Sequence, residues 1–169
     1  PTAGQVAFRI APRFNVAGRM ANAPDVVEMF LTDDAARAQS LASELHELNK
    51  ERRETEADIV RRIEEECIRT PVTDLDAALV FSGEDWHRGV VGIVASRIVE
   101  RYHRPAFVIS QDGATGLAQG PGRSIAVFHL LEALESMPGL FTKFGGHRQA
   151  AGVTLPCERI SEFRERLNR

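Results

Sequence analysis

Three neighbouring stretches decide the fold: AALVF at residues 77–81, GVVGIVASRIVERYH at 89–103 and PAFVIS at 105–110. The outer two are short apolar runs of strand length. The middle one turns Val90, Val91, Ile93, Val94, Ile98 and Val99 inward at helical spacing. Strand, helix and strand in this order form a βαβ unit. Downstream, Ala114 to Gln119 adds a strand, Val127 to Met137 a helix, Ala150 to Leu155 another strand, and Glu158 to Leu167 a closing amphipathic helix. The order predicts an α/β domain with a mixed sheet, from about residue 77 to the end.

Upstream of this domain the texture differs. Pro71 to Asp76 reads as a linker. Before it, no Gly or Pro interrupts the chain from Thr32 onward; Thr32 suits an N-cap, and Asp33 and Asp34 suit the positive end of a helix dipole. Leu41, Leu45, Leu48, Ile59 and Ile63 recur at helical spacing, with Arg52 and Thr55 in the seam between them. Such a helix reaches on the order of 50 Å. Its middle, Lys50-Glu51-Arg52-Arg53-Glu54, is too charged to be buried all round, so it reads as a helix bridging two domains, with a surface or coiled-coil helix as the alternative. In the first 31 residues Val6, Phe8 and Ile10 alternate as a strand would, and Ala11-Pro12-Arg13-Phe14-Asn15 breaks the pattern. The chain starts with Pro1 rather than Met, and reads as a piece of a longer protein.

Composition sets outer limits. Of 169 residues, 43% are hydrophobic and 27% charged, which suits one ordinary domain core, or a small domain with an appendage, and argues against disorder. With 21 Lys and Arg against 24 Asp and Glu the net charge is −3, so nucleic acid would be held by a local basic pocket rather than by bulk charge. Cys67 and Cys157 stand far apart, and no leader or membrane-spanning run is visible, which fits a reducing cytoplasm and no membrane partner. His46, His87, His103, His129 and His147 form no ligand set, so no metal site is expected in the chain itself. His46, His103 and His129 lie in helical or helix-end contexts and read as structural, while the pairs Asp33-Asp34 and Asp74-Asp76 read as solvated charge.

Four segments carry residues suited to phosphate or bases. In Phe144-Gly145-Gly146-His147-Arg148-Gln149-Ala150-Ala151-Gly152 the paired glycines free backbone N–H groups for an anion cradle, to which His147 and Arg148 add donors; a plain turn is the alternative. In Gly120-Pro121-Gly122-Arg123-Ser124, Arg123 offers a planar fork and Ser124 a hydroxyl; alternatively Ser124 merely caps the helix that follows. In Asp85-Trp86-His87-Arg88-Gly89 an indole beside an imidazole suits a base, or else Trp86 packs at a sheet edge and His87 bonds a carbonyl. Arg13, Asn15 and Arg19 around Gly18 reach phosphate, or pair with acidic groups of a neighbouring domain. The carboxyl ends of the strands are where the first three segments are expected to converge.

At these same residues the chain resembles the RecJ exonuclease branch of the DHH phosphoesterase superfamily. The segments Ala11 to Arg19, Trp86 to Arg97, Gly120 to Ile125 and Phe144 to Gly152 occur in the family's order and span nearly the whole chain. The resemblance implies a mixed-sheet DHH-associated domain at 71–169, a long connecting helix at 32–70 and the tail of a catalytic DHH domain at 1–31. It implies a 5′-to-3′ exonuclease of single-stranded DNA in bacterial repair and recombination. Its Mn²⁺ or Mg²⁺ would be bound by the missing catalytic domain, because the chain has no Asp-His-His triplet. The segment alone is then inactive, with helicase or single-strand-binding-protein contacts made through the parent enzyme.

By the same resemblance, Arg123 and Ser124 hold the terminal phosphate or nucleotide, and Gly145, Gly146 and His147 face the scissile phosphate, with His147 orienting a phosphoryl oxygen. Arg13 and Asn15 line the cleft from the catalytic side, and Trp86 and His87 support the accessory wall; Arg19 and Arg148 remain candidates on their own chemistry. The chain departs from the pattern at Pro121, where the family has Ser, and at Val16, where it has Ala. The alternatives are a DHH phosphodiesterase acting on short oligoribonucleotides or cyclic dinucleotides, and a non-catalytic module that binds single strands or proteins.

Overall fold

The computed structural model describes residues Thr2–Arg169. The chain divides into two compact units, Pro1–Ala57 and Asp58–Arg169, with the border inside one long helix.

The first unit is helical. Helix α1, Ala3–Gln5, leads through a π-helical turn, Val6–Ile10, into α2, Ala11–Met20; α3 spans Ala23–Leu31 and α4 spans Ala35–Arg69. The strand expected at Val6 to Ile10 is therefore absent among the described residues. A capping box at Thr2 and Gln5 starts helical structure just before it, and Pro12 sits in the first turn of α2, where its missing N–H costs nothing. Three alternating apolar residues with no partner strand cannot satisfy a backbone that a helix satisfies locally. Val16, Ala17 and Leu45 form the small core of this unit, flanked by Phe14, Met20, Val26, Met29 and Leu48.

The start of α4 also differs from expectation. Asp34, not Thr32, caps it, its Oδ1 accepting from the N–H groups of Ala36 at 2.8 Å and Arg37 at 3.3 Å. Thr32 instead closes α3, and its hydroxyl accepts from Asp34 N–H at 3.2 Å. The expected seam is buried at Leu41, Leu45, Ile59 and Ile63. Arg52 enters it as half of an ion pair with Glu56, 2.6 Å apart and largely shielded from water. Pairing removes the main cost of a charge at that position.

The second unit is built on the βαβ motif. Strand β1, Leu79–Glu84, runs through α5, Arg88–Tyr102, into β2, Ala106–Asp112. Strand β3, Leu117–Arg123, is followed by α6, Leu130–Glu135, then β4, Lys143–His147, β5, Ala150–Pro156, a 3₁₀ turn, and α7, Ile160–Leu167. The sheet order is β1-β2-β3-β5-β4, with β1 and β2 parallel and the other neighbours antiparallel, the mixed sheet expected.

The two faces of the sheet are unlike. Val80, Phe107, Ile109, Ala118, Ala151, Val153 and Leu155 meet α6 and α7 on one face in a core that includes Leu130, Leu134 and Phe163. Phe107 and Phe163 meet edge to face, with ring centroids 5.0 Å apart. The alternate residues of β5, namely Ala150, Gly152 and Thr154, therefore face the other way, towards the α5 side.

Candidate phosphate-binding face

Strand register places Arg123 and His147 together. Arg123 pairs with Ala150 on one side of β5, and Ala150 pairs with His147 on the other. Residues directly opposite in a ladder share a face, so Arg123, Ala150 and His147 form one row on the α5 side. The next row on that face is Pro121, Gly152 and Gly145, and the one beyond is Gln119, Thr154 and Lys143. A Cβ built on Gly145 or Gly152 would meet nothing within 4 Å, so beyond the Pro121 ring the middle row is an open floor of peptide backbone. The Arg123 guanidinium leans over this face to α5, where a Cβ on Gly92 would lie 3.3 Å from its Nη2 and 3.5 Å from Pro121 Cγ. Gly92 thus leaves the space the guanidinium occupies.

His147 sits at the tip of the β4–β5 hairpin and is exposed. Its Nδ1 accepts from Gln149 N–H at 3.3 Å, which leaves the proton of the neutral ring on Nε2 as an outward donor. The turn itself is held from behind: Ser124 N–H donates to Gln149 O and Leu130 N–H to Arg148 O, both at 3.0 Å, and Arg148 Nη2 donates to Ala126 O at 3.1 Å. Arg148 therefore braces the hairpin against the segment after β3.

Both glycine segments lie in strands rather than in the loops expected. Gly145 and Gly146 are inside β4, and Gly120 to Arg123 are inside β3. Gly146 has φ +147°, and a Cβ there would lie 2.3 Å from Ala150 O, so the residue serves a close approach of two strands. Gly120 serves another, with a Cβ position 2.2 Å from Val108 O. Ser124 does not cap the following helix. That helix starts at Leu130, and His129 caps it, with Nδ1 accepting from Glu132 N–H at 3.2 Å. Ser124 Oγ donates instead to Phe128 O at 2.9 Å.

The three segments do not all meet at the carboxyl ends of the strands. Arg123 pairs with Ala106, which pairs with Leu79, so the Arg123 row lies at the amino ends of β1 and β2. Trp86 and His87 follow the carboxyl end of β1. Trp86 is 6% exposed, and its ring fills the space above Gly83, where a Cβ would approach Cε2 to 2.3 Å. Trp86 thus packs on the end of β1. Its Nε1 has no hydrogen-bond partner among the described residues. His87 caps α5, its Nδ1 accepting from Gly89 N–H at 3.1 Å, and its ring is exposed.

Arg13, Asn15 and Arg19 belong to the first unit, on α2. Arg13 Nη1 donates to Arg9 O, and Asn15 and Arg19 are exposed. Two polar residues of the sheet face, Gln119 and Lys143, lack any motif in the sequence; only pairing register brings them to the glycine floor.

No cluster of three or more His, Cys, Asp or Glu side chains suited to a metal ion occurs among the described residues. The donors present do not fit a divalent ion, and what this face offers is hydrogen-bond donors and positive charge. No helix among the described residues is long and apolar enough to cross a membrane.

Residues 75–169 match the family described as the DHHA1 domain. The single-stranded-DNA-specific exonuclease RecJ of Dickeya dadantii is 44% identical over 98% of the chain, which spans 30% of that relative's length. Two crystal structures of RecJ from Thermus thermophilus superpose on 99% of the chain at 38% identity. The complex with Mg²⁺ gives a TM-score of 0.85 with 25% of its chain covered, and the complex with Mn²⁺ gives 0.84 with 24% covered.

Proposed function

Because this chain belongs to the DHHA1 domain family, we propose that it is the substrate-holding part of a metal-dependent exonuclease that removes nucleotides from single-stranded DNA in bacterial repair and recombination. The observation that carries this reading is the row Arg123, Ala150 and His147 on one open face, beside a floor of bare backbone. The relatives named RecJ are single-stranded-DNA-specific exonucleases, and those crystallised hold Mg²⁺ or Mn²⁺.

On this reading residues 71–169 are the DHH-associated domain, 32–70 the connecting helix and 1–31 the tail of the catalytic domain, in a cytoplasmic parent protein. The metal ions, which stabilise charge on the phosphoryl group and activate water when bound, belong to residues outside this chain. This chain's own groups hold the strand. The Arg123 guanidinium takes two oxygens of one phosphate, and the His147 Nε2–H donates to a phosphoryl oxygen above Ala150. Gly145 and Gly152 let the sugar-phosphate backbone approach the sheet, Ser124 and Arg148 fix the hairpin that aims His147, and His87 presents its Nε2–H from the end of α5. Arg13, Asn15 and Arg19 add polar contacts from α2. Pro121, without hydroxyl or N–H, leaves the terminal phosphate to Arg123.

The test is Mn²⁺-dependent release of nucleotides from single-stranded DNA by the full-length parent and by residues 1–169. Digestion by the parent and none by the 169-residue chain is the expected result; metal-dependent cleavage by the short chain contradicts the division of labour. In the parent, His147→Ala lowers kcat by more than it raises KM, and an unchanged kcat removes His147 from the site.

A further inference from the structure

We infer that a second phosphate site lies on the first unit, in a basic groove between α2 and α4 that grips the phosphodiester backbone of a single strand. The inference rests on the function proposed above. The groove is a concavity of about 400 Å³ lined by Arg13, His46, Asn49, Lys50, Arg53 and Glu54, among others. It holds three permanent cations against one carboxylate, in a chain whose net charge is −3.

The helix sorts its charges to make this groove. His46, Lys50 and Arg53 are spaced four and three residues apart, so they form one stripe. Glu44, Glu47, Glu51 and Glu54 are spaced three, four and three apart, form the adjoining stripe, and line a separate concavity with only Lys50 as a cation. The charged middle of the helix is therefore two oppositely charged stripes rather than a uniformly solvated surface.

The second observation is that the basic stripe is left over by pairing. Along the same helix Arg37 pairs with Glu28, Arg52 with Glu56, Arg61 with Asp58 and Glu65, and Arg62 with Asp58. Lys50 and Arg53 have no such carboxylate partner among the described residues, although glutamates adjoin both in sequence. Cations gathered at a concavity and not neutralised from within suit an external polyanion. A phosphodiester backbone matches the stripe because its charges repeat along a line, and the flanking acidic stripe repels a strand laid on the wrong side. Asn49 adds an amide at the groove floor and is 7% exposed.

The experiment titrates the 169-residue chain with a fluorescent oligothymidylate across a series of NaCl concentrations, in the absence of divalent metal. Four proteins are compared: the unaltered chain, Lys50→Gln/Arg53→Gln, the acidic-stripe control Glu47→Gln/Glu51→Gln, and Arg123→Gln. Matching far-ultraviolet circular dichroism confirms that each is folded. Each lost phosphate contact to a single strand makes the slope of log affinity against log salt shallower by about 0.7, so the basic double variant is expected to lose about 1.4. The acidic control keeps or steepens the slope.

A basic double variant with the slope of the unaltered chain, while Arg123→Gln weakens binding, overturns the groove and leaves the proposed function standing. An unaltered chain without salt-dependent binding overturns both. Inorganic phosphate is added at matched ionic strength as a further arm: failure to displace the oligonucleotide supports a strand, and displacement at low millimolar concentration overturns the assignment in favour of a free-phosphate site.

Discussion

Gly145 and Gly146 are neighbours in one strand with opposite requirements. A methyl group on Gly145 points into open space, whereas one on Gly146 collides with the backbone of β5 and must also adopt φ +147°. Gly146→Ala is therefore expected to cost about 3 kcal/mol in urea unfolding, and Gly145→Ala less than about 1 kcal/mol. Equal stabilities for the two variants contradict the strand geometry described for β4. Trp86 gives a second residue-scale test, because it is the only tryptophan in the chain. Buried over Gly83, it is expected to keep its emission maximum and its resistance to acrylamide when an oligonucleotide saturates the chain. Quenching on binding assigns it a base-stacking role instead. The residue types at the site were legible from chemistry alone: arginine, histidine and glycine suggest phosphate wherever they stand. Their relation was not legible, since Arg123 and His147 become neighbours only because β5 lies between β3 and β4.

Elements built on long apolar periodicity were readable, and those built on context were not. The β1-α5-β2 unit follows from runs of Val, Ile and Phe, with Phe107 now fully buried. Phe107→Ala is expected to lose about 3–5 kcal/mol of stability in urea unfolding. Strand β3 is the opposite case, because Gly120-Pro121-Gly122 has the composition of a turn. It is a strand because β2 and β5 hold it on both sides, and its ladder with β2 lapses at Gly120 and Pro121, opposite Ile109 and Val108. Pro121 has no N–H to give there. Tertiary pairing overrode local preference, as it did in reverse at Val6 to Ile10, where a strand-like alternation found no partner.

Paired carboxylates within and at the ends of elements also set the acid limit of stability. Asp112 is held below the usual carboxylate range by hydrogen bonds from Thr115 and Ala114 and by nearby Arg88, Glu162 by Arg159 and Arg166, and Asp58 by Arg61 and Arg62. A depressed carboxyl pKa in the folded state contributes stability above the unfolded value, about pH 4, and that contribution is lost as the pH falls through the folded value. Urea midpoints are expected to be flat from neutral pH to about 5 and to fall below about 4. A midpoint that rises on acidification contradicts these pairings.

At the scale of the whole molecule, the proposed reading gives a chain of net charge −3 two local basic surfaces for a single strand, one in each compact unit. The sheet face carries the central proposal: Arg123 at the terminal phosphate and His147 at the scissile phosphate grip one end nucleotide across Ala150. A double-mutant cycle with Arg123→Gln and His147→Gln tests it most directly, reading the affinity of the 169-residue chain for a 5′-phosphorylated oligothymidylate. Groups that grip one bound nucleotide are coupled, so the double variant is expected to lose less affinity than the two single losses combined, by more than about 0.5 kcal/mol. Losses that add within that margin, or no loss in either single variant, contradict it.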